Sequence, residues 1–355
     1  MPESPGLNGL SPVILNRMST PTSTPSPQDQ PSQMATPTGQ VCANSSAPSG
    51  DSPADAETTA DDSDYADPST RRRLVPLLLF LATCLSTFWV AAAEFRPMAA
   101  LQNMQSGFAQ VATNWQQGVT YMAAVLAILL THEMGHFLFT LRFKISASYP
   151  IFIPVPFNPI GTMGAVIGMD GSKANRRQLY DLALAGPVAG LIVAIPVLAM
   201  GVKQLDLTIP ARGMQFYNPL MVEWLFQYLR PGEPMPEAIA VSQLNPLFMA
   251  GWVGLLVTGL NMLPISQLDG GHVAYAVFGR RAHTIARIFL ICAIAFIIIE
   301  RIHIWMLMLV LVIIMGVDHP PTSDDSVELN EARWRLGVLA LAIPIICFPY
   351  RGISI

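Results

Sequence analysis

His132-Glu133-Met134-Gly135-His136 lies between two apolar stretches, residues 119–131 and 137–141. On a helix, histidines four apart project from one face and can reach one metal ion, and the glutamate between them can take a proton from a water held there. In a soluble chain the pattern marks a hydrolytic zinc site. Short motifs also arise by chance on polar surface helices, but flanking hydrocarbon argues against that origin here. Inside a bilayer ionisable side chains are costly, and their presence points to function.

Two histidines leave a catalytic zinc site incomplete, because such sites generally hold three protein ligands and one open position. The acids close to apolar sequence are Glu94, Asp170, Asp181, Asp269, Glu300 and Asp318. Asp269 stands apart because it follows an apolar run at a break, Asn261-Met262-Leu263-Pro264-Ile265-Ser266-Gln267-Leu268-Asp269-Gly270-Gly271-His272. Pro264 interrupts a helix and the glycine pair lets the chain turn, which presents a carboxylate on irregular backbone facing a cavity. The plainer alternative is a helix-capping aspartate at the membrane interface.

The elements that must position these residues are membrane helices. With 355 residues, 52% hydrophobic and only 12% charged, and a mean hydropathy of +0.43, the chain is too apolar for an ordinary soluble domain. The net charge of −4 is set by residues 1–70, which carry nine acids against the single base Arg17, so no nucleic-acid partner is implied. Cys42, Cys84, Cys292 and Cys347 are scattered and form no CxxC pair, which excludes a cysteine metal site or disulfide framework as the organising feature.

Residues 1–70 are rich in Pro, Ser, Thr, Asp and Gln, lack apolar periodicity, and are expected to be a disordered tail. The tail is too acidic for an organellar transit peptide. Residues 71–355 form the membrane domain. Its expected spans are about 74–95, 119–141, 181–200, 246–265, 284–300, 302–317 and 336–350, the last three short for a bilayer of roughly 30 Å. The expected fold is therefore an all-α polytopic membrane protein of about six to seven transmembrane helices. If all seven cross with the tail in the cytoplasm, fourteen lysines and arginines fall on the cytoplasmic side and six opposite. That asymmetry favours an inside amino terminus, and the acidic tail favours a bacterial cytoplasmic (inner) membrane.

Between the second and third spans, residues 149–169 carry prolines at 150, 154, 156 and 159 and alternating large apolar side chains. They predict two short strands around a turn, a β-hairpin associated with the membrane next to the metal site.

At this point the chain resembles the site-2 protease family of intramembrane zinc metalloproteases. The resemblance rests on His132-Glu133-x-x-His136, on Asn261-x-x-Pro264-x-x-x-x-Asp269-Gly270, and on Gly186-x-x-x-Gly190. The segment Gly161-Thr162-Met163-Gly164-Ala165-Val166-Ile167 and His319-Pro320-Pro321 add to it. The matching motifs run from about residue 119 to 321, the expected catalytic core. The resemblance implies one zinc ion per chain bound by His132, His136 and Asp269, with Glu133 as general base and Asn261 holding substrate or the developing oxyanion. It implies peptide-bond hydrolysis in transmembrane helices of membrane-protein substrates already trimmed by a site-1-type protease, in contact with membrane lipid. Intervals 142–180 and 201–245 are too short for the PDZ domain that many members carry, and no paired CBS modules are expected.

Blander readings stand beside these. Asn261 also suits a helix-to-helix hydrogen bond in the membrane. Gly186 and Gly190 suit close packing of the third span on the catalytic helix. His272 suits either a contact behind the metal ligands or a cytoplasmic surface, His319 a helix exit, and Arg176 with Asp181 an interfacial ion pair. The alternative function is a pseudoprotease that keeps the metal-supported fold and binds client helices. A metal or proton transporter lacks the relay of ionisable residues it would need along several helices.

Overall fold

The computed structural model describes residues 68–168, 171–265 and 267–354; nearly all of the expected tail lies outside them. Helices dominate: α1 (Pro68–Ala92), α2 (Pro97–Gln102), α3 (Met104–Thr113), α4 (Trp115–Phe143), α5 (Arg176–Lys203), α6 (Leu220–Leu229), α7 (Pro246–Asn261), α8 (Asp269–Phe278), α9 (Arg281–Glu300), α10 (Met306–Met315), α11 (Glu331–Ala340) and α12 (Ile343–Cys347). The strands are β1 (Ile151–Val155), β2 (Gly161–Val166), β3 (Gln215–Tyr217), β4 (Ala238–Ala240) and β5 (Ile353–Ser354).

Among the described residues four helices are long and apolar enough to cross a membrane, Leu74–Ala92 within α1, then α4, α5 and α9; α7 is a shorter apolar helix. Among the described residues, the two segments expected to span beyond residue 301 are each divided. Residues 302–317 divide into a 3₁₀ turn, His303–Trp305, and the ten-residue α10, about 15 Å of helix at 1.5 Å per residue. Residues 336–350 divide into α11 and the five-residue α12, which has proline in its first turn. Neither piece matches the thickness of a bilayer core.

Helix α4 is the central element. Its buried positions Gly118, Tyr121, Val125, Ile128, Leu129, His132 and His136 recur every three or four residues, one stripe of an α-helix. It ends where Lys144 turns left-handed at φ 57°. Small residues let α4, α5 and α7 approach closely. A Cβ at Gly135 would stand 2.5 Å from Ala185 O, and one at Gly254 would press on Ile128 and Ala194 at 2.9 and 3.0 Å. Helix α5 begins with a capping box in which Asn175 and Gln178 exchange hydrogen bonds with each other's backbone.

Residues 151–166 hold a two-stranded antiparallel sheet. β1 and β2 pair antiparallel, with Phe152 opposite Ala165 and Val155 opposite Gly161, and the register shifts between Phe152 and Pro154. Proline has no N–H for a ladder, which is why it is tolerated at such an irregularity. The hairpin is fastened to two helices: Ser86 Oγ donates to Gly161 O at 2.5 Å and Tyr121 OH to Ile160 O at 2.7 Å. Gly161, at φ +83°, lies against the Thr87 backbone. A second sheet of order β4-β3-β5 brings residues 353–354 onto the segment between α5 and α7.

Candidate metal centre

His132 and His136 project from the same face of α4, and Asp269, the first residue of α8, meets them from the other side. Asp269 Oδ2 lies 3.3 Å from Nε2 of each histidine, and all three side chains are buried. Neither contact has hydrogen-bond geometry, so Oδ2 is a buried acceptor without a hydrogen-bond partner. An isolated buried carboxylate oxygen is costly, whereas two imidazole nitrogens and one carboxylate oxygen converging on a point are a fitting donor set for zinc. Among the described residues this is the one cluster of three such groups.

The surroundings hold each ligand in place. His136 Nδ1 donates to Leu182 O at 2.9 Å, which leaves the Nε2 lone pair turned toward Asp269, the usual way a second partner fixes the tautomer of a metal-binding histidine. Pro187 lies inside α5 and has no N–H for Ala183 O, so the backbone ladder is loosened beside the carbonyl that His136 uses. The two glycines seat the rings: a Cβ at Gly186 would overlap the His136 imidazole, and one at Gly190 would stand 3.1 Å from His132 Nδ1. Gly270 lets α8 start against the Met262 and Leu263 carbonyls, where a Cβ would collide with backbone.

Glu133 is 5% exposed. It shares the electrostatic field of His136 and Asp269, and its carboxylate has no hydrogen-bond partner among the described residues. Asn261, the last residue of α7, places Nδ2 3.3 Å from His132 Nε2. The five residues singled out by sequence thus fall in one place.

Of the two readings open for His272, burial favours the one behind the ligands over the surface one. Its Nδ1 lies 2.6 Å from His319 Nε2. His319 Nδ1 contacts Pro320 O, and the His319 ring stacks on Tyr275 with centroids 4.4 Å apart. Donation from His319 Nδ1 to Pro320 O makes His319 Nε2 the acceptor from His272. Burial pushes His272 down to about 3, with the His319 charge adding to the shift, and pushes His319 down to about 4; both rings are neutral near pH 7, as an N–H···N bond requires. Arg176 does not pair with Asp181. Asp181 is held by Arg333 at 2.8 and 3.2 Å, while Arg176 donates to the Ala276 and Val277 carbonyls at 2.6 and 3.2 Å. The Leu182 carbonyl had no side-chain signature to reveal it; His319 was marked by its two prolines.

The family model for Peptidase family M50 matches residues 120–299, about half of the chain and all five of these residues. The chain belongs to peptidase family M50. This is the site-2 protease family. The M50 chain is 35% identical over 164 residues to the probable zinc metalloprotease EGY1, chloroplastic, of Arabidopsis thaliana, covering 44% of this chain and 29% of that protein. It is 32% identical over 166 residues to the probable zinc metalloprotease EGY2, chloroplastic, of the same plant, covering 46% and 29%. A longer match, 27% over 247 residues, joins it to the probable zinc metalloprotease EGY3, chloroplastic, of Oryza sativa subsp. indica, covering 65% and 42%. The chain thus spans less than half the length of these relatives. No solved structure matches it. The M50 relatives and the buried His132, His136 and Asp269 are together consistent with a zinc site.

Proposed function

We propose that this chain is an intramembrane zinc metalloendopeptidase that hydrolyses peptide bonds in transmembrane helices of membrane-protein substrates. The observation that carries the proposal is the convergence of His132 and His136, on the apolar 29-residue α4, with Asp269 of α8, beside the buried Glu133. His132, His136 and Asp269 would hold one zinc ion. When bound, zinc supplies Lewis acidity at the scissile carbonyl. Glu133 takes a proton from the attacking water and passes it to the leaving nitrogen, so the atoms balance as a carboxylate and an amine. With His132 engaged as a ligand, the Asn261 amide would be free to donate to the substrate carbonyl without adding a buried charge.

A transmembrane helix hides its peptide bonds in its own hydrogen bonds and must unwind before cleavage. Among the described residues neither β1 nor β2 has a second strand partner, so an unwound segment would have an edge to pair with, as in β-strand addition. This gives the membrane-associated hairpin its role. The substrate would be one already trimmed by a site-1-type protease. The amino terminus would face the cytoplasm, or the compartment equivalent to it in an organelle, with lipid around the spans. The three relatives are named as chloroplastic, so the comparisons lend the bacterial inner membrane no support over a plastid one.

The test is cleavage of a panel of labelled transmembrane helices by wild type and Glu133→Gln, with zinc content measured in parallel. Glu133→Gln is expected to retain zinc and lose cleavage; full turnover by the variant contradicts the proposal. A pseudoprotease would instead stabilise clients equally with either residue.

A further inference from the structure

We propose that Arg176 is a positioning residue for the third metal ligand: by fastening the carboxyl-terminal end of α8 to α5, it fixes where Asp269 stands relative to the two histidines. The proposal rests on the assignment of His132, His136 and Asp269 as ligands.

Helix α8 has only ten residues. It is cut off on one side by the non-helical residues 262–265 and 267–268 and on the other by Gly279 at φ 58°. A helix this short is marginal by itself, so its setting comes from tertiary contacts. At its amino-terminal end it rests on the Met262 and Leu263 carbonyls through Gly270. At the other end, the last carbonyls of a helix lack intrahelical partners. Arg176 supplies them, Nε to Ala276 O at 2.6 Å and an Nη to Val277 O at 3.2 Å. A positive group is favourable at that end of a helix. The planar guanidinium grips two carbonyls at once, and thereby fixes rotation as well as distance. A helix is stiff over ten residues, so its setting at one end is felt at Asp269.

Arg176 is also the first residue of α5, the helix whose Leu182 carbonyl orients His136 and whose Gly186 and Gly190 seat the two imidazoles. One helix therefore sets all three ligands. The other attachments of α8 leave it docked when Arg176 is replaced: Tyr275 OH donates to Asp325 at 2.8 Å, and Gly337 of α11 abuts Val277.

The experiment compares Arg176→Gln, Arg176→Lys and Arg333→Gln in the full chain, purified in detergent. Zinc Kd is read by chelator competition, ligand geometry by the visible spectrum of the cobalt-loaded protein, and stability by thermal unfolding. Arg176→Gln is expected to weaken zinc about tenfold, the lower end for a group that orients a ligand, and to alter the cobalt spectrum. Arg176→Lys recovers part of the loss. Arg333→Gln breaks the Asp181 pair and lowers Tm while leaving zinc Kd and spectrum unchanged. Wild-type Kd and spectrum in Arg176→Gln overturn the proposal, as does equal zinc weakening in Arg333→Gln. If Arg176→Gln does not fold, Arg176→Lys decides: an altered cobalt spectrum supports positioning and an unaltered one overturns it. Failure of the ligand assignment is recognised separately, by undiminished zinc in Asp269→Ala.

Discussion

Replacing Gly186 by alanine places one methyl group against a metal ligand, and the structure sets the scale of the response. An ideal Cβ there overlaps the His136 ring, with Cε1 at 2.5 Å, whereas ordinary contacts lie at 3.4–4 Å. Either the imidazole or α5 must retreat by about 1 Å or more, and core overpacking of this kind costs about 1–3 kcal/mol. The ring cannot retreat freely, because Nδ1 is tied to Leu182 O on the same helix. Misplacement by about 1 Å at a reacting centre costs on the order of 100-fold in rate. Gly190→Ala is the graded control: its Cβ meets His132 Nδ1 at 3.1 Å and Cβ at 3.2 Å, so a shift of a few tenths of an ångström suffices. Zinc per chain, Tm and cleavage of a labelled helix are measured for both. Gly186→Ala is expected to lose zinc and about 100-fold or more in cleavage, and Gly190→Ala less than about tenfold. Equal zinc and equal cleavage in Gly186→Ala and wild type would refute the seating of His136 against α5.

Two further outcomes follow from the surroundings of the site. The buried pair His272 and His319 titrates at about 3 and about 4 in the fold against 6.5 as the reference value, so the unfolded chain binds more protons below pH 6.5. Stability is therefore complete above about pH 6.5 and lost as pH falls toward 4; thermal unfolding of chelator-treated protein should show this slope and His319→Gln should flatten it, while an identical slope in the variant would exclude the pair. Asn261→Ala is expected to keep zinc and lower kcat by about 10²–10³, the usual cost of one oxyanion donor; loss confined to Tm would assign Asn261 to helix packing instead.

Much of the centre was legible in the sequence because its signals are local. His132, Glu133 and His136 share a helical face through spacing alone, and Pro264 with Gly270 and Gly271 marked the break that presents Asp269. The prolines of residues 149–169 likewise announced the hairpin. Long-range partnership was not legible. Arg176 and Asp181 are neighbours in sequence, yet Asp181 is taken by Arg333, 152 residues away, because α11 folds back over α8. His272 likewise meets His319, 47 residues away. Beyond residue 300 hydropathy does not register the left-handed turn at Arg301, the 3₁₀ turn before α10, or the break between α11 and α12. The Leu182 carbonyl belongs to the backbone and had no residue type to advertise it.

The central claim is that His132, His136 and Asp269 together hold one zinc ion, and Asp269 is the ligand contributed from outside the histidine motif. The decisive measurement is zinc per purified chain in wild type and Asp269→Ala, by elemental analysis after equilibration with a competing chelator. One zinc per wild-type chain is expected, with Asp269→Ala losing most of it while still folding as judged by its unfolding transition. Full occupancy in Asp269→Ala would contradict the claim and require another ligand.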